Sequence, residues 1–578
     1  MSSWRLGDIF PDGERNRLTE SLKSETESFK GLRERLPLSA DEFIQAIAQE
    51  ERMSEIAGRL ASKTGLRLSE DTTDAARVAD EASLSQLSCD VENATLFFSV
   101  WFRDLPDDKA AMYMEAAGRH RYLLERIRAW RSHTLGENEE RIINLKDTTG
   151  SEAAVRLYDA VTGRYRFRFR GRLLTYDEVS EYKLSRRRRD RVEAYESTLG
   201  VYGADETVLG EIYRAVAQDT VNETVKLRNF KRPLSAANLA NDVPDEAVES
   251  LLSSVKANRS LFQKYFQLKA GLSRIRRFDR YDVYAPYGRE DGRYGYGEAV
   301  KKTLSVFRDF DEGAYRMAKR IFDERHVNPY PAARKQPGAF CHSVVLGVTP
   351  YLMLNHTGSL TDLYTMVHET GHAVHTMAAH AQTQLTYHAG LPLAETASVF
   401  AEMLLTRKLM AEAEDDSEKA SLLVRSLDRQ YATVARQAYF TIFEVDAHDA
   451  LSEGASAPDL SRLYMRNLRE QFGRGIKIPE SFRHEWLGIQ HIYYSPFYCY
   501  TYAFANMVAL ALYERYEEEG GKFTPTYMRI LSKGGSESPM RIMSDAGLDY
   551  CKRGFWDDGF KLIKKELETL KSLAKKNR

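Results

Sequence analysis

The sequence predicts a mainly α-helical protein with more than one lobe and little β-structure. Apolar residues recur at helical spacing over most of the chain, whereas the strict alternation typical of strands is confined to short stretches. The 578 residues exceed what one compact core usually organises, which indicates two or more lobes and leaves room for a large cleft between them.

The first part of the chain is charged and amphipathic. Stretches such as ADEFIQAIAQEERMSEIAGRLA predict helical hairpins over residues 18–130. Between residues 164 and 175, arginine alternates with tyrosine and phenylalanine, which predicts a short β element with a turn near Gly171. We therefore predict an N-terminal helical lobe with a short β element at residues 1–195, followed by a second domain at residues 196–578.

An arginine-rich stretch, SRRRRDR, follows the β element and allows two interpretations. Arginines beside aromatic residues are typical of surfaces that bind single-stranded nucleic acid. However, Ser185 is a suitable N-cap, and Tyr195 and Leu199 continue one apolar stripe. We favour a helix whose solvated face carries the arginines.

The next part of the chain is again predicted to be helical, over residues 207–325. A break rich in tyrosine, glycine and arginine at residues 281–299 is a candidate mobile loop. Residues 338–355 are rich in branched and aromatic side chains and predict two short strands around a Thr349-Pro350 turn. Helix is expected from there to the C-terminus.

Charge and cysteine content exclude several classes of protein. With 83 basic and 84 acidic residues the net charge is −1, so no field of one sign attracts nucleic acid or a membrane surface. The four cysteines form no CxxC pair, which argues against a disulfide framework and against a thiolate zinc site. No stretch of signal-peptide type and no apolar run of roughly 20 residues is found. We expect a cytoplasmic protein that binds neither nucleic acid nor membranes.

The segment LTDLYTMVHETGHAVH carries the strongest chemical signal. Thr361 is the predicted N-cap of a helix that contains HETGH. Because His368 and His372 lie four residues apart, a helix directs both imidazoles toward one zinc ion, with Glu369 beside it. The alternative is a pair of hydrogen-bonded helix histidines, since His-Glu-x-x-His also arises by chance.

A catalytic zinc ion needs a third protein ligand and one open position for water. Glu395 lies 395 − 372 = 23 residues after His372, in LPLAETASVFAEMLL. Pro392 and Thr396 flank the expected start of a second helix there, which places Glu395 where it can pack against the first helix. The predicted metal ligands are His368, His372 and Glu395.

Three neighbouring residues are candidates for supporting roles. Ser398 and Glu402 follow Glu395 by three and seven residues, on the same helix face, and are suited to orient the ligand imidazoles. For Glu402, a solvated carboxylate is an equally weighted alternative. A structural role is favoured for His375.

The segment HIYYSPFYCYTYAFANM supplies candidate donors for an oxyanion, the charged oxygen formed when a peptide bond is attacked. Tyr498 and Tyr502 share a helix face, whereas Tyr500 points elsewhere and is the reserve choice. His491 precedes the helix and is brought in by the loop through Pro496. The alternative is that these tyrosines pack in the core or between lobes.

Together these motifs resemble the oligoendopeptidase F branch of the thimet oligopeptidase metallopeptidases. The matching passages are NHTGSLTDLYTMVHETGHAVH, LAETASVFAEMLL, IQHIYYSPFYCYTYAFANMVALALYERY, MRILSKGGSESP, DAGLDYCKRGFWDDGF and PGAFCHSV. They extend over most of the chain after about residue 200. The stretch before it, including WRLGDIFP, matches more loosely.

The resemblance implies one zinc ion held by His368, His372 and Glu395, with Glu369 as general base. It also implies a two-lobed helical body with a deep central channel, a small β-sheet beside the zinc site, and oligopeptides rather than folded proteins as substrates. Residues 196–578 would then be the catalytic domain. Cys341 and His342 depart from the small or polar residues common in the family's PGAF region, which leaves the local subsite chemistry open.

The predicted reaction is endopeptidase cleavage. Glu369 takes a proton from the attacking water and passes it to the leaving amine, while His491, Tyr498 or Tyr502 donates to the oxyanion. We expect the peptide backbone to pair with a strand edge within residues 338–355, and the lobes to close around it. The alternatives are a zinc carboxypeptidase or dipeptidyl carboxypeptidase, and a non-catalytic peptide-binding protein. Cobalt or manganese in place of zinc and the oligomeric state stay open.

Overall fold

Helices make up most of the chain. The computed structural model describes residues 4–288 and 293–576, and in these residues the strands are confined to two small sheets. The prediction of a mainly α fold with a small β-sheet is confirmed.

The regular elements, in chain order, are as follows. The helices are α1 (Arg15–Lys30), α2 (Ala40–Glu70), α3 (Ala75–Asp104), α4 (Asp107–Ala116), α5 (Arg121–Ala129), α6 (Glu137–Asp147), α7 (Ser151–Thr162), α8 (Tyr176–Tyr182), α9 (Arg188–Ala204), α10 (Glu206–Val221), α11 (Pro233–Ala240), α12 (Asp245–Leu272), α13 (Tyr296–Phe310), α14 (Glu312–Asp323), α15 (Leu360–Ala378), α16 (Leu391–Ala394), α17 (Thr396–Glu412), α18 (Asp416–Gln430), α19 (Arg436–Ser452), α20 (Ala457–Phe472), α21 (His491–Tyr494), α22 (Cys499–Glu519), α23 (Thr524–Ser532), α24 (Pro539–Asp545) and α25 (Arg553–Lys576). The strands are β1 (Phe167–Phe169), β2 (Arg172–Leu174), β3 (Val327–Asn328), β4 (Phe340–His342) and β5 (Tyr351–Met353).

The chain divides into two compact units. The first consists of Met1–Arg131, Glu290–Lys408 and Arg515–Leu548, and the second of Ser132–Arg289, Leu409–Glu514 and Asp549–Arg578. Each unit combines three separate stretches, whereas the predicted domains are continuous. The division into residues 1–195 and 196–578 stays a prediction.

The core of the first unit is built on the N-terminal helices. Helix α2 begins at a capping box in which the Ser39 side chain accepts the Glu42 N–H, while the Glu42 carboxylate accepts the Ser39 N–H. Phe43 on α2 is fully buried and stacks on Phe98 of α3 at a ring distance of 5.4 Å. The same apolar cluster extends to Tyr351 of β5. The predicted helical hairpins are therefore also the scaffold for the small sheet.

This sheet has the strand order β3-β5-β4. Strand β5 pairs antiparallel with β4, Cys341 opposite Leu352, and parallel with β3, Val327 opposite Leu352. The two strands predicted within residues 338–355 are confirmed. Strand β3 was not predicted, because two residues are too short to show any periodicity. Strand β5 is completely buried, whereas β4 is half-buried and lies at the edge of the sheet.

In the second unit, the predicted β element is confirmed as an antiparallel hairpin. Phe167 pairs with Leu174. Arg170 and Gly171 both have positive φ, 50° and 77°, as the tight turns that match strand twist require. The turn therefore lies at Gly171 as predicted.

The arginine-rich stretch forms helix α9, but the prediction that its arginines are solvated is only partly right. Helix α9 begins at Arg188 and not after Ser185. Arg191 is 1% exposed and pairs with Asp282, which also accepts from Arg188. A buried guanidinium needs a carboxylate partner, and this partner lies about ninety residues away, beyond the reach of local pattern analysis.

The predicted break at residues 281–299 is shorter in the structure. Tyr281 is buried in a short 3-10 turn, and α13 begins at Tyr296. Residues 289–292 of the predicted mobile loop lie outside the described residues.

Candidate metal centre

Helix α15 places the two histidines of HETGH, and its first turn is set by a capping box. The Ser359 hydroxyl accepts the Asp362 N–H at 3.1 Å, and the Asp362 carboxylate accepts the backbone N–H groups of Ser359, Gly358 and Thr357. The N-cap is thus Ser359, and the prediction of Thr361 is wrong. Thr361 lies in the first turn of the helix, because the Ser359 hydroxyl is the side-chain group that accepts an N–H of this turn.

Three ligand atoms converge beside this helix. Glu395 Oε2 lies 3.4 Å from His368 Nε2 and 3.3 Å from His372 Nε2, and the two Nε2 atoms are 3.2 Å apart. A tetrahedral zinc ion with bonds of about 2.0 to 2.1 Å requires ligand atoms about 3.3 to 3.4 Å from one another. The donor set and its spacing therefore fit a zinc ion.

Gly371, inside the motif, explains how α15 and Glu395 come so close. A Cβ atom at this position would lie 2.7 Å from the backbone oxygen of Ala397 and from Cα of Ser398. Only glycine lets the first turn of α17 approach α15 at this point. The sequence analysis assigned Gly371 no role, although a glycine in the middle of a helix is itself a signal of close packing.

The two predicted supporting residues contact the ligands. Glu402 is 4% exposed, and its Oε1 lies 2.6 Å from His368 Nδ1. A proton on Nδ1 shared with this carboxylate leaves the lone pair of Nε2 for a metal ion. The Ser398 hydroxyl donates to Glu395 Oε2 at 2.7 Å. Of the two interpretations of Glu402, the solvated carboxylate is wrong, because the side chain is buried against the histidine.

The ionisable groups of this cluster shift one another's pKa values. Burial opposes ionisation of Glu395, but its hydrogen bond to His372 and the charges of the two histidines outweigh burial and lower the pKa of Glu395 to about 2. Burial also disfavours charge on His368, yet the hydrogen bond to Glu402 and the nearby carboxylates raise its pKa. The carboxylates thus carry the negative charge that a dication requires.

Glu369 lies at the wall of a cavity of about 390 Å³ that also exposes the three ligand atoms. The side chain is 8% exposed, and the Cys341 backbone forms a hydrogen bond with it. Burial raises the pKa of Glu369, the two histidines counteract this, and the Glu395 carboxylate adds to the rise. A carboxylate with a raised pKa, beside the ligand atoms, is suited to accept and return a proton.

Two further histidines and a cysteine lie in or beside the cavity wall. His375 is buried, and burial lowers its pKa to about 4, so it is a neutral wall residue. His342 forms a hydrogen bond with the Ser62 hydroxyl at 2.9 Å. Burial, and then the Glu369 charge, raise the pKa of the Cys341 thiol well above its usual value.

Part of the cavity wall was missed by the sequence analysis. Tyr387 and His388 line the cavity. Gly534 and Gly535 hold this wall in place, since a Cβ atom on either would lie within 2.4 Å of the backbone oxygen of Tyr387 or His388. The glycine pair in SKGGSESP was the available signal, because adjacent glycines often mark a close backbone approach.

His491, Tyr498 and Tyr502 form a cluster within the second unit. His491 Nε2 lies 3.3 Å from the Tyr502 hydroxyl, and the Tyr498 and Tyr502 rings meet edge to face at 5.4 Å. Tyr498 and Tyr502 are half-buried, whereas His491 is exposed. Tyr500 is completely buried and its hydroxyl accepts from Asn241, so it is separated from the other two.

Two histidines with a glutamate between them on one helix, and a carboxylate from the turn between α16 and α17, form the ligand arrangement of a metallopeptidase. Residues 182–562 match the family model described as Peptidase family M3, and residues 101–167 match the one described as Oligopeptidase F. The chain therefore belongs to peptidase family M3, in its oligoendopeptidase F branch.

Individual relatives agree with this assignment. The chain is 25% identical to oligopeptidase PepF of Bacillus subtilis, over 99% of this chain and 87% of that protein. It is 29% identical to a chromosomal oligoendopeptidase F of Lactococcus lactis, over 70% of this chain and 67% of that protein. Among solved structures, the fold is similar to that of oligoendopeptidase-F from Enterococcus faecium, with a TM-score of 0.73 at 22% identity over 98% of this chain and 99% of that chain.

The chain is thus a metallopeptidase that acts on oligopeptides. Within residues 4–288 and 293–576, no helix combines the length and apolar character needed to cross a bilayer.

Proposed function

We propose that this protein is a zinc-dependent endopeptidase that hydrolyses internal bonds of short oligopeptides. The observation that carries the proposal is the triangle of His368, His372 and Glu395 ligand atoms, at tetrahedral spacing, beside the buried Glu369 carboxylate. The three residues would hold one zinc ion per chain. The name of one group of relatives, oligoendopeptidase, favours cleavage inside the peptide over removal of its ends.

When bound, zinc would act as a Lewis acid that lowers the pKa of a water molecule and polarises a carbonyl group. Glu369 accepts the proton of the attacking water and passes it to the amine of the leaving peptide. Hydroxyl donors from Tyr498 and Tyr502, with His491 beside them, stabilise the oxyanion more than they stabilise the substrate carbonyl.

We further propose that the substrate backbone adds to the free edge of β4. In the described sheet β4 pairs only with β5, and Phe340 and Cys341 line the cavity that holds Glu369. An extended peptide at this edge gains main-chain hydrogen bonds, which give affinity with broad tolerance of side chains. A structure with a bound peptide that does not touch β4 would disprove this binding mode.

The test of the proposed function is cleavage of an internally quenched peptide of about ten residues, a length suited to an enclosed site. Wild type and Glu369→Gln are compared, each loaded with zinc. We expect internal cleavage by wild type, loss on chelation, recovery with zinc, and no turnover by a variant that still binds zinc. Release of only terminal residues would support the carboxypeptidase alternative, and zinc-loaded but inactive wild type would refute catalysis.

A further inference from the structure

A buried carboxyl group in the second unit lies against the turn that precedes Tyr498. Glu444, on α19, is 0% exposed, and its Oε1 accepts the backbone N–H of Phe497 at 2.7 Å. Within the described part of the chain this N–H is its one hydrogen-bond partner, and Oε2 has none. Burying a carboxyl group costs free energy unless hydrogen bonds replace those that it made to water. A buried carboxyl group with a single hydrogen bond to the backbone therefore requires an explanation.

The contact holds an unusual backbone conformation. Phe497 has a φ of 63°, in the left-handed region that a bulky residue rarely adopts unless its surroundings impose it. Its ring is 2% exposed and packs on the His448 ring at 4.8 Å. Glu444 and His448, one turn apart on α19, therefore fix the backbone and the side chain of Phe497.

This turn is connected directly to Tyr498 and Tyr502, through hydrogen bonds of Tyr498 and through the start of α22. The Tyr498 N–H donates to the Ser495 carbonyl at 3.1 Å, and the Tyr498 carbonyl accepts from the Thr501 N–H and hydroxyl at 3.0 and 2.7 Å. Helix α22 begins at the next residue, Cys499, and carries Tyr502. A change in φ at Phe497 would rotate the start of α22 and with it both hydroxyls.

We propose that Glu444 is a positioning residue, whose buried carboxyl group holds Phe497 in the left-handed conformation from which α22 presents Tyr498 and Tyr502. This rests on the proposed function, in which those hydroxyls donate to the oxyanion.

The environment of Glu444 indicates which substitution preserves the contact. Burial raises the pKa of Glu444 well above its usual value, with only the Phe497 N–H acting against the shift. Burial lowers the pKa of His448 to about 4, so this neighbour is neutral at pH 7. Glutamine has the same shape as glutamate and keeps an oxygen that can accept the Phe497 N–H. Methionine has a similar length but no acceptor.

The experiment compares wild type with Glu444→Gln and Glu444→Met, and with Glu566→Met as a matched control. Glu566 is another carboxyl group of the second unit, held by Ser426 and Gln430, and the structure shows no contact between it and the turn. Measurements are kcat and KM for the quenched peptide, zinc content, and amide hydrogen exchange of residues 494–502. Hydrogen exchange needs neither zinc nor substrate. Glu444→Leu replaces Glu444→Met if the latter does not fold.

We expect Glu444→Met to lower kcat by about tenfold to a hundredfold, as a displaced catalytic group does, with KM and zinc content nearly unchanged and faster exchange in the turn. Glu444→Gln should behave as wild type, and Glu566→Met should lose stability without these changes. Equal activity of Glu444→Met and Glu444→Gln, or an equal fall of kcat in Glu566→Met, would overturn the proposal. Wild type that cleaves no peptide would instead refute the proposed function, and the proposal with it.

Discussion

Gly371→Ala is the sharpest test of the metal-centre geometry. The added Cβ would lie 2.7 Å from the Ala397 oxygen, whereas ordinary contact begins near 3.4 Å, so backbone atoms must separate by about 0.7 Å. Ligand positions in a metal site tolerate only about 0.2 Å. Since Ala397 lies two residues after Glu395, the displacement carries this ligand away from the histidines.

The expected result is a loss of about 1 to 3 kcal/mol of folding free energy from overpacking, and a zinc affinity at least about tenfold weaker. The matched control is Gly65→Ala in α2, where no atom lies within 4 Å of the added Cβ. That change should be neutral or stabilise by up to about 1 kcal/mol, because alanine is the better helix former. Thermal melting and competition with a chelator measure both quantities. Equal zinc affinity in the two variants would refute the reasoning.

Three further predictions concern buried ionisable side chains. Glu402→Ala should weaken zinc binding by about tenfold to a hundredfold, because it frees His368 to rotate; an unchanged affinity in chelator competition would contradict this. Burial raises the pKa of Glu566 to about 7, above its value of about 4.5 in the unfolded chain. The contribution of Glu566 to the free energy of unfolding is therefore fully present below about pH 4.5 and is lost as pH rises through 7, and the loss is at most about 3 kcal/mol. Denaturant titrations should show this slope in wild type and a flatter profile in Glu566→Gln. Arg191→Ala should cost about 3 kcal/mol, because the buried Asp282 Oδ1 loses its guanidinium partner while Arg188 and the Asp279 N–H remain on Oδ2. Exposed Arg189→Ala should be neutral, and similar melting temperatures of the two variants would argue against a buried ion pair.

Much of the fold was predictable because helical periodicity and turn chemistry are local. The hairpin at Gly171 was predicted from alternation and a turn residue, and the two strands around Thr349 from branched and aromatic side chains and a turn; the structure has both. The wrong N-cap prediction is also local in origin. Thr361 and Ser359 are both good capping residues, and the choice depends on which hydroxyl meets a free N–H group.

The sequence by itself determined that His368 and His372 face the same side of one helix, because residues four apart are neighbours on any α-helix. It also placed Tyr500 on a different face from Tyr498 and Tyr502. Only the tertiary structure decided that Glu395 meets the two histidines, that Glu402 is buried against one of them, and that Gly371 permits the approach. Such contacts join residues on different elements, and their distances depend on how whole helices pack, which no local pattern encodes.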